Sequence, residues 1–322
     1  MNKFGRFVAA LFLMAIFANR CLATTWDEPW HREVVSKATS FGLYEVEKSD
    51  SESVTLRRLK HIAGDETSPV IQVKSFYALR LSSVSGEGPV LRLPTGTKAY
   101  FHLKPEDGAW AIATPTAGFA PLRQDGKVYA TYRISMHQAL LDPGMYEDTQ
   151  RCIFQVLHGS SGCDPQISTM IKNELAKPVG GIVAADKPEM REIFFGQHAA
   201  LETAALISYP LNAGTLERFL DKKDVHVQMS ALRALAVSGS ADTAERLMRF
   251  VEDDKRELAA RILAVKLLEQ IGVGKMRPRL LAYSTKASEE ESGLGINLMD
   301  PRIGTNFPST LKAALEQAGA SR

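Results

Sequence analysis

Hydrophobic positions recur most regularly in the C-terminal half of the chain, over residues 192–284. Leu216, Leu247 and Leu280 fall at equivalent places, followed by Phe219, Phe250 and Tyr283. Upstream in each unit Leu201, Leu232 and Val265 correspond, as do Ala200, Ala231 and Ala264. The offset is 31 residues and then 33. Two short amphipathic segments per unit, at a period of this size, predict helical hairpins that bury a shared core. Leu216, Phe219 and Leu220 share one helical face, and so do Leu247, Phe250 and Val251. Each stripe then needs a neighbour to cover it, and the aromatic series reads as core.

The pattern changes in the N-terminal half. A short helical pattern runs through Val34, Val35 and Ala38, and residues 47–54 read as a polar loop. Alternation with period two over residues 75–81, 90–93 and 98–103 predicts strands. Asp107-Gly108 and Asp125-Gly126 mark hairpins, because those residues accept positive φ. Five to seven short strands in about ninety residues predict an all-β sandwich or barrel. Helices are expected over 145–157 and 166–176, then a linker at 177–181 where Pro178, Gly180 and Gly181 break both periodicities. A final capping helix is expected over 311–318. The fold class is thus α+β, an N-terminal all-β sandwich or barrel followed by an α-helical solenoid. The expected divisions are a signal peptide at 1–23, a β-rich domain at 24–140, a disulfide-bearing helical junction at 141–180, repeats at 181–286, and a tail with a capping helix at 287–322.

The repeat segment resembles a known family. Residues 227–235 followed by Gly239, and residues 260–268 followed by Gly272, are similar to the first helix and turn of HEAT-like repeats. Asp221, Asp224, Asp253 and Asp254 ahead of these helices suit that family, and the short period resembles its phycobilisome-lyase-type subclass. Arg261 matches the family's arginine; Gln228 stands in its place in the middle unit, and the first unit is more degenerate, with Pro210 in its turn. The resemblance covers about a third of the chain and implies architecture, since the family includes scaffolds and a few enzymes.

Charge and cysteines narrow the setting. Lys3 and Arg6 precede an apolar run over residues 7–18, and Cys21-Leu22-Ala23 offers small residues for cleavage after Ala23. A run of about 12 is too short to span a bilayer, which needs ~20 residues, so no transmembrane segment is expected after cleavage. The whole chain has 39 basic and 37 acidic residues. Three basic residues and no acidic one lie in the first 23, so the mature chain is near neutral at −1. That balance argues against nucleic acid as a partner. Cys152 and Cys163 remain as a pair, and an even pair in an exported chain reads as a disulfide contributing roughly 3 kcal/mol. The expected location is periplasmic or secreted.

No catalytic, cofactor or metal site is expected. Seven histidines show no spacing that puts two ligands on one metal. His31, near Asp27, Glu28 and Glu33, reads as a surface cluster. Gly159-Ser160-Ser161-Gly162 is one residue short of a nucleophile elbow. The second helices instead carry Arg218, Arg246, Arg249, Arg277 and Arg279, outward positions able to line a groove that grips an acidic segment of another protein. A non-enzymatic protein-binding adaptor or scaffold is the leading expectation. The alternatives are an inhibitor of a secreted toxin or hydrolase, and an envelope hydrolase with its site in the β domain.

Overall fold

The structure is a computed structural model that describes residues 30–50, 53–74, 79–83, 86–91, 93–114, 118–133, 138–160, 162–181, 187–292 and 307–320. The predicted signal peptide, Trp26, residues 75–78 of one predicted strand, and Gly293, Gly295 and Gly304 lie outside the described residues. The architecture is mixed, an N-terminal β barrel followed by helices.

Among the described residues, helix α1 (His31–Lys37) leads into ten strands: β1 (Ser40–Ser49), β2 (Ser53–Gly64), β3 (Val70–Lys74), β4 (Leu79–Ser83), β5 (Gly86–Leu91), β6 (Lys98–Glu106), β7 (Ala109–Ile112), β8 (Phe119–Pro121), β9 (Val128–Thr131) and β10 (Gln138–Leu141). Strand β1 pairs antiparallel with both β2 and β6; β2 pairs with β3, and β6 with β7. One parallel contact, Val73 against Trp110, joins β3 to β7 and closes the ring. Strand β8 continues β7 along the same edge of β6 after the excursion at residues 113–118. Asp107 and Gly108 both have positive φ, 49° and 73°, the turn that the sequence predicts between β6 and β7. Within the predicted loop at 47–54, residues 47–49 and 53–54 are instead strand, the ends of β1 and β2, and Asp50 N–H donates to Ser53 O at 3.0 Å. Their alternation is blurred by three register shifts, so period two fails locally.

The barrel interior holds Tyr44, Val46, Leu56, Val73, Phe101 and Leu103. The opposite face of the same strands, with Phe41, Ile62 and Tyr100, belongs to a second cluster that runs on through the helices. Successive residues Tyr100 and Phe101 thus serve two cores, as the strand period requires. Gly64 marks the closest approach of the two parts. Its φ is +77°, and a Cβ there would lie 2.1 Å from Thr39 O and 2.7 Å from the Phe154 ring. Gly64→Ala is therefore expected to destabilise by roughly 2–3 kcal/mol, from positive φ and overpacking together. Urea unfolding checks it, and an unchanged midpoint would refute the close approach.

Helices follow: α2 (Pro143–Leu157), α3 (Pro165–Ala176), α4 (Pro188–Leu206), α5 (Ala213–Leu220), α6 (Val225–Ala236), α7 (Thr243–Glu252), α8 (Leu258–Ile271), α9 (Arg277–Ser284, after a 3₁₀ turn at Gly274–Met276) and α10 (Leu311–Ala320). Pro143 opens α2 behind Asp142, so the Pro-Gly pair is a helix start. Along one row α4 packs on α6, α6 on α8 and α8 on α10; α5, α7 and α9 each pack on the following member of that row. Leu216, Leu247, Leu280, Phe219, Ala200, Ala231 and Ala264 are all fully buried, and Phe250 nearly so. Tyr283 is half-buried, its hydroxyl accepting from Arg261 at 2.7 Å.

A polar feature recurs with the same offsets. The Gln197 amide donates to Pro178 O at 2.9 Å, just beyond α3. Gln228 donates to Lys222 O at 2.6 Å, just beyond α5, and Arg261 to Val251 O at 2.8 Å, near the end of α7. All three side chains are buried, and each satisfies carbonyls that a helix end leaves without partners. Gln228, a departure from the family pattern by residue type, makes the same kind of bond as Arg261.

Candidate functional site

Polar and charged side chains converge where the barrel meets the helices. Arg133 follows β9 and is fully buried, as is Glu202 on α4. Arg133 Nε lies 2.8 Å from Glu202 Oε1, and Arg233 Nε on α6 lies 2.7 Å from Oε2. One carboxylate thus holds two guanidinium groups. Arg133 also donates to His226 O and Ser230 Oγ, at 3.2 and 3.1 Å. Burial pulls its pKa down to about 10; Glu202 opposes that and Arg233 adds to it. The Arg233 guanidinium in turn stacks on Trp30, 4.6 Å from the ring centroid.

Ser230, His198 and Glu202 are the chemistry-bearing types of a hydrolytic triad, but their bonds run otherwise. Ser230 Oγ donates its proton to Glu202 at 2.8 Å; His198 Nδ1 lies 3.1 Å from that oxygen, but it accepts an Arg133 N–H at 3.2 Å. A triad needs the imidazole to take the serine proton and the carboxylate to orient the imidazole. Here the carboxylate is committed to the arginines and the serine, and Ser230 is fully buried. The cluster joins β9, α4 and α6; its geometry is that of a fastening.

Helix α1 adds a second set of ties. His31 Nε2 is 2.7 Å from Gln150 Oε1 on α2, and Arg32 donates to Leu206 O at the end of α4. His31 is therefore interior, which corrects its reading as part of a surface cluster: α1 packs against α2, and the imidazole is what faces α2. Its ring meets His102 edge-on at 5.5 Å, and His102 stacks on Phe41 at 4.4 Å. Burial lowers the His31 pKa to about 4, with the Gln150 hydrogen bond opposing and Arg233 assisting. His102 is lowered well below its ordinary value, also by burial first.

These shifts fix the sign of a pH effect. Between pH 6.5 and about 4 the unfolded chain binds protons at these histidines that the folded chain does not. Stability is then full above pH 6.5 and falls as pH drops through that window, by on the order of 3 kcal/mol for His31 alone. Thermal melts across pH 4–7.5 should show this, and His31→Asn should flatten the profile. A profile unchanged by His31→Asn would contradict the buried neutral imidazole.

The sequence-predicted arginines fall in two classes. Arg246 bonds Asp242 at 2.6 Å and Glu217, and Arg279 bonds Glu252 at 2.7 Å and Glu245 at 2.9 Å. Arg218 reaches Lys177 O and lies over the Phe219 ring. Arg277 begins α9. Arg249 projects into solvent: its side chain is 61% exposed and only loosely paired with Glu245, at 3.9 Å. Between α5 and α7 lies a groove of about 280 Å³ floored by Leu220, Leu235 and Phe250. Its rim carries Arg246, Arg249 and Arg256 opposite Glu217, Asp221 and Asp253, so the charges balance. Arg256 bridges Asp221 and Asp253 at 2.9 and 2.8 Å.

Sequence reasoning found Arg246, Arg249 and Arg279, with Glu217 and Glu245 as residues able to salt the same face, and missed Arg256 and the Glu202–Arg233 pair. The available signal was spacing: Glu217 to Arg246, Asp221 to Arg256, Glu245 to Arg279 and Glu202 to Arg233 are each separated by about one repeat.

Cys152 and Cys163 are disulfide-bonded, with Cα atoms 5.0 Å apart, and tie the end of α2 to the entry of α3. Among the described residues no group of three or more His, Cys, Asp or Glu could hold a metal ion, and no helix is long and apolar enough to cross a membrane. Comparison with known proteins finds no matching family model, curated protein or solved structure.

Proposed function

We propose that this chain is an exported, non-enzymatic protein-binding adaptor whose helices α4 to α9 form a short HEAT-like solenoid. The observation that carries the reading is the polar recurrence at Gln197, Gln228 and Arg261, which keeps the offsets of the leucine series. It is independent of hydrophobic pattern and marks each hairpin as leaning on the one before. Stacks of this kind present extended surfaces to other proteins. The signal-like N-terminus and the disulfide support a periplasmic or secreted setting.

The groove between α5 and α7 is the proposed docking surface. Arg246 and Arg256 already hold carboxylates of their own chain, so a purely acidic partner gains little from them. The partner segment proposed here carries both signs, with Arg249 as the cation it meets and Phe250 beneath it. Arg249→Glu is the clean test, because Arg246→Glu would also break the bonds to Glu217 and Asp242. Affinity capture from the native envelope extract should recover a stoichiometric partner with wild type and lose it with Arg249→Glu. The variant's stability should stay within about 0.5 kcal/mol. Undiminished capture by Arg249→Glu would remove the groove from the account.

A further inference from the structure

We infer that the cleft between the β9–β10 hairpin and the first turns of α4 docks a basic, amphipathic segment of another protein. This surface is separate from the α5–α7 groove and does not depend on it.

The cleft has a volume of about 680 Å³, within the range of ligand-binding pockets. Its floor is apolar: Leu140 and Leu141 from β10, Met145 from α2, Ile193 and Phe195 from α4. Leu140, Met145 and Ile193 are only partly covered by the chain itself. Burying such side chains under an aliphatic or aromatic residue is worth about 25 cal/mol per Å².

The rim is acidic. Asp125 and Asp142 line the side of the β9–β10 pair, Glu189 and Glu192 the helix side, and Glu174 the end near α3. Against these five carboxylates stand Lys127, Lys177 and Arg191 in the lining, and Arg123 beside it bonds Asp125 at 3.2 Å. Both lysines are held by lining carboxylates, Lys127 by Asp142 at 2.8 Å and Lys177 by Glu174 at 2.7 Å. Glu189 and Glu192 are one helical turn apart, on the same side of α4, and both are exposed. The field they help make already favours a cation: Lys127 titrates above its ordinary value, first through its bond to Asp142, with Glu192 and Asp125 adding. An apolar floor under an acidic rim selects an occupant with a hydrophobic anchor flanked by Lys or Arg. The β9–β10 pair and the helices both contribute walls, so one partner segment would touch both.

The test uses the full mature chain and a short fluorescent peptide of alternating lysine and leucine, read by anisotropy. Binding is expected with Kd of about 10–100 µM. It should weaken at least about tenfold in Glu189→Lys/Glu192→Lys, a loss of about 1.4 kcal/mol, and stay unchanged in Arg249→Glu. If the lysine variant fails to fold, Glu189→Gln/Glu192→Gln gives the same reading with a smaller loss. Equal binding by these variants would overturn the proposal. So would equal binding of the glutamate-for-lysine peptide or of the serine-for-leucine peptide. Displacement of the probe by free spermine at the peptide's own concentration would also overturn it, assigning the cleft to small polycations.

Discussion

Glu202→Ala should lower the stability of the protein by about 3–5 kcal/mol, the range found when one partner of a buried ion pair is removed. The loss has little to do with a strong bond. Glu202 and Arg133 are both fully buried, and taking the carboxylate away leaves the Arg133 guanidinium inside without its counter-charge. Ser230 would lose its acceptor and Arg233 its partner in the same step. Replacing both members, Arg133→Met with Glu202→Leu, should recover part of the loss, because the fully buried Arg133 charge goes with its counter-charge and only Arg233, 14% exposed, is left without its carboxylate. Chemical denaturation of the single and double variants checks this. A single variant within about 1 kcal/mol of wild type would mean the cluster is hydrated or displaced.

The cluster also bears on how the parts of the molecule hold together. Arg133 comes from just beyond β9, which pairs with β10, Glu202 from α4 and Arg233 from α6, so each variant loosens three elements. Under the proposed reading, such a fastening would keep the two docking faces in one orientation.

Phe219→Ala should cost about 3–5 kcal/mol, as large-to-small substitutions of a buried phenylalanine do. Phe219 has no exposed surface and lies on α5, a helix of 8 residues. A helix that short is unstable alone in water, where about 12–15 residues are needed for marginal helicity. Its order comes from packing on α6, so the cavity left by the ring should be felt beyond α5 itself. A loss below about 1 kcal/mol would show that α5 and its neighbours close over the gap independently.

Much of the helical half was legible in the sequence. The predicted helices over 145–157, 166–176 and 311–318 lie within α2, α3 and α10, and the leucine series marks the buried faces of α5, α7 and α9. Hydrophobic period is a local signal, and helices obey it. The barrel was less legible. Asp107-Gly108 announced its turn, yet the β1–β2 pairing was hidden by bulges and by the charged residues Arg57, Arg58 and Lys60 within β2. The interior ions were not legible at all. Nothing near Arg133 in the sequence marks it as interior, because its partners are 69 and 97 residues away. His31 failed for the same reason, its partner Gln150 being 119 residues distant. Among the candidate arginines, residue type identified the chemistry, and only three-dimensional pairing separated Arg249 from Arg246 and Arg279.

Hydrogen–deuterium exchange on the full mature chain, wild type against Phe219→Ala, tests the interdependence of the hairpins most directly. If the hairpins stand only by leaning on one another, protection should fall in α5, in α6, and onward into α7 and α8, while the barrel strands keep theirs. Loss confined to α5, with α6 to α8 exchanging as in wild type, would contradict the stack and with it the docking groove it is proposed to build.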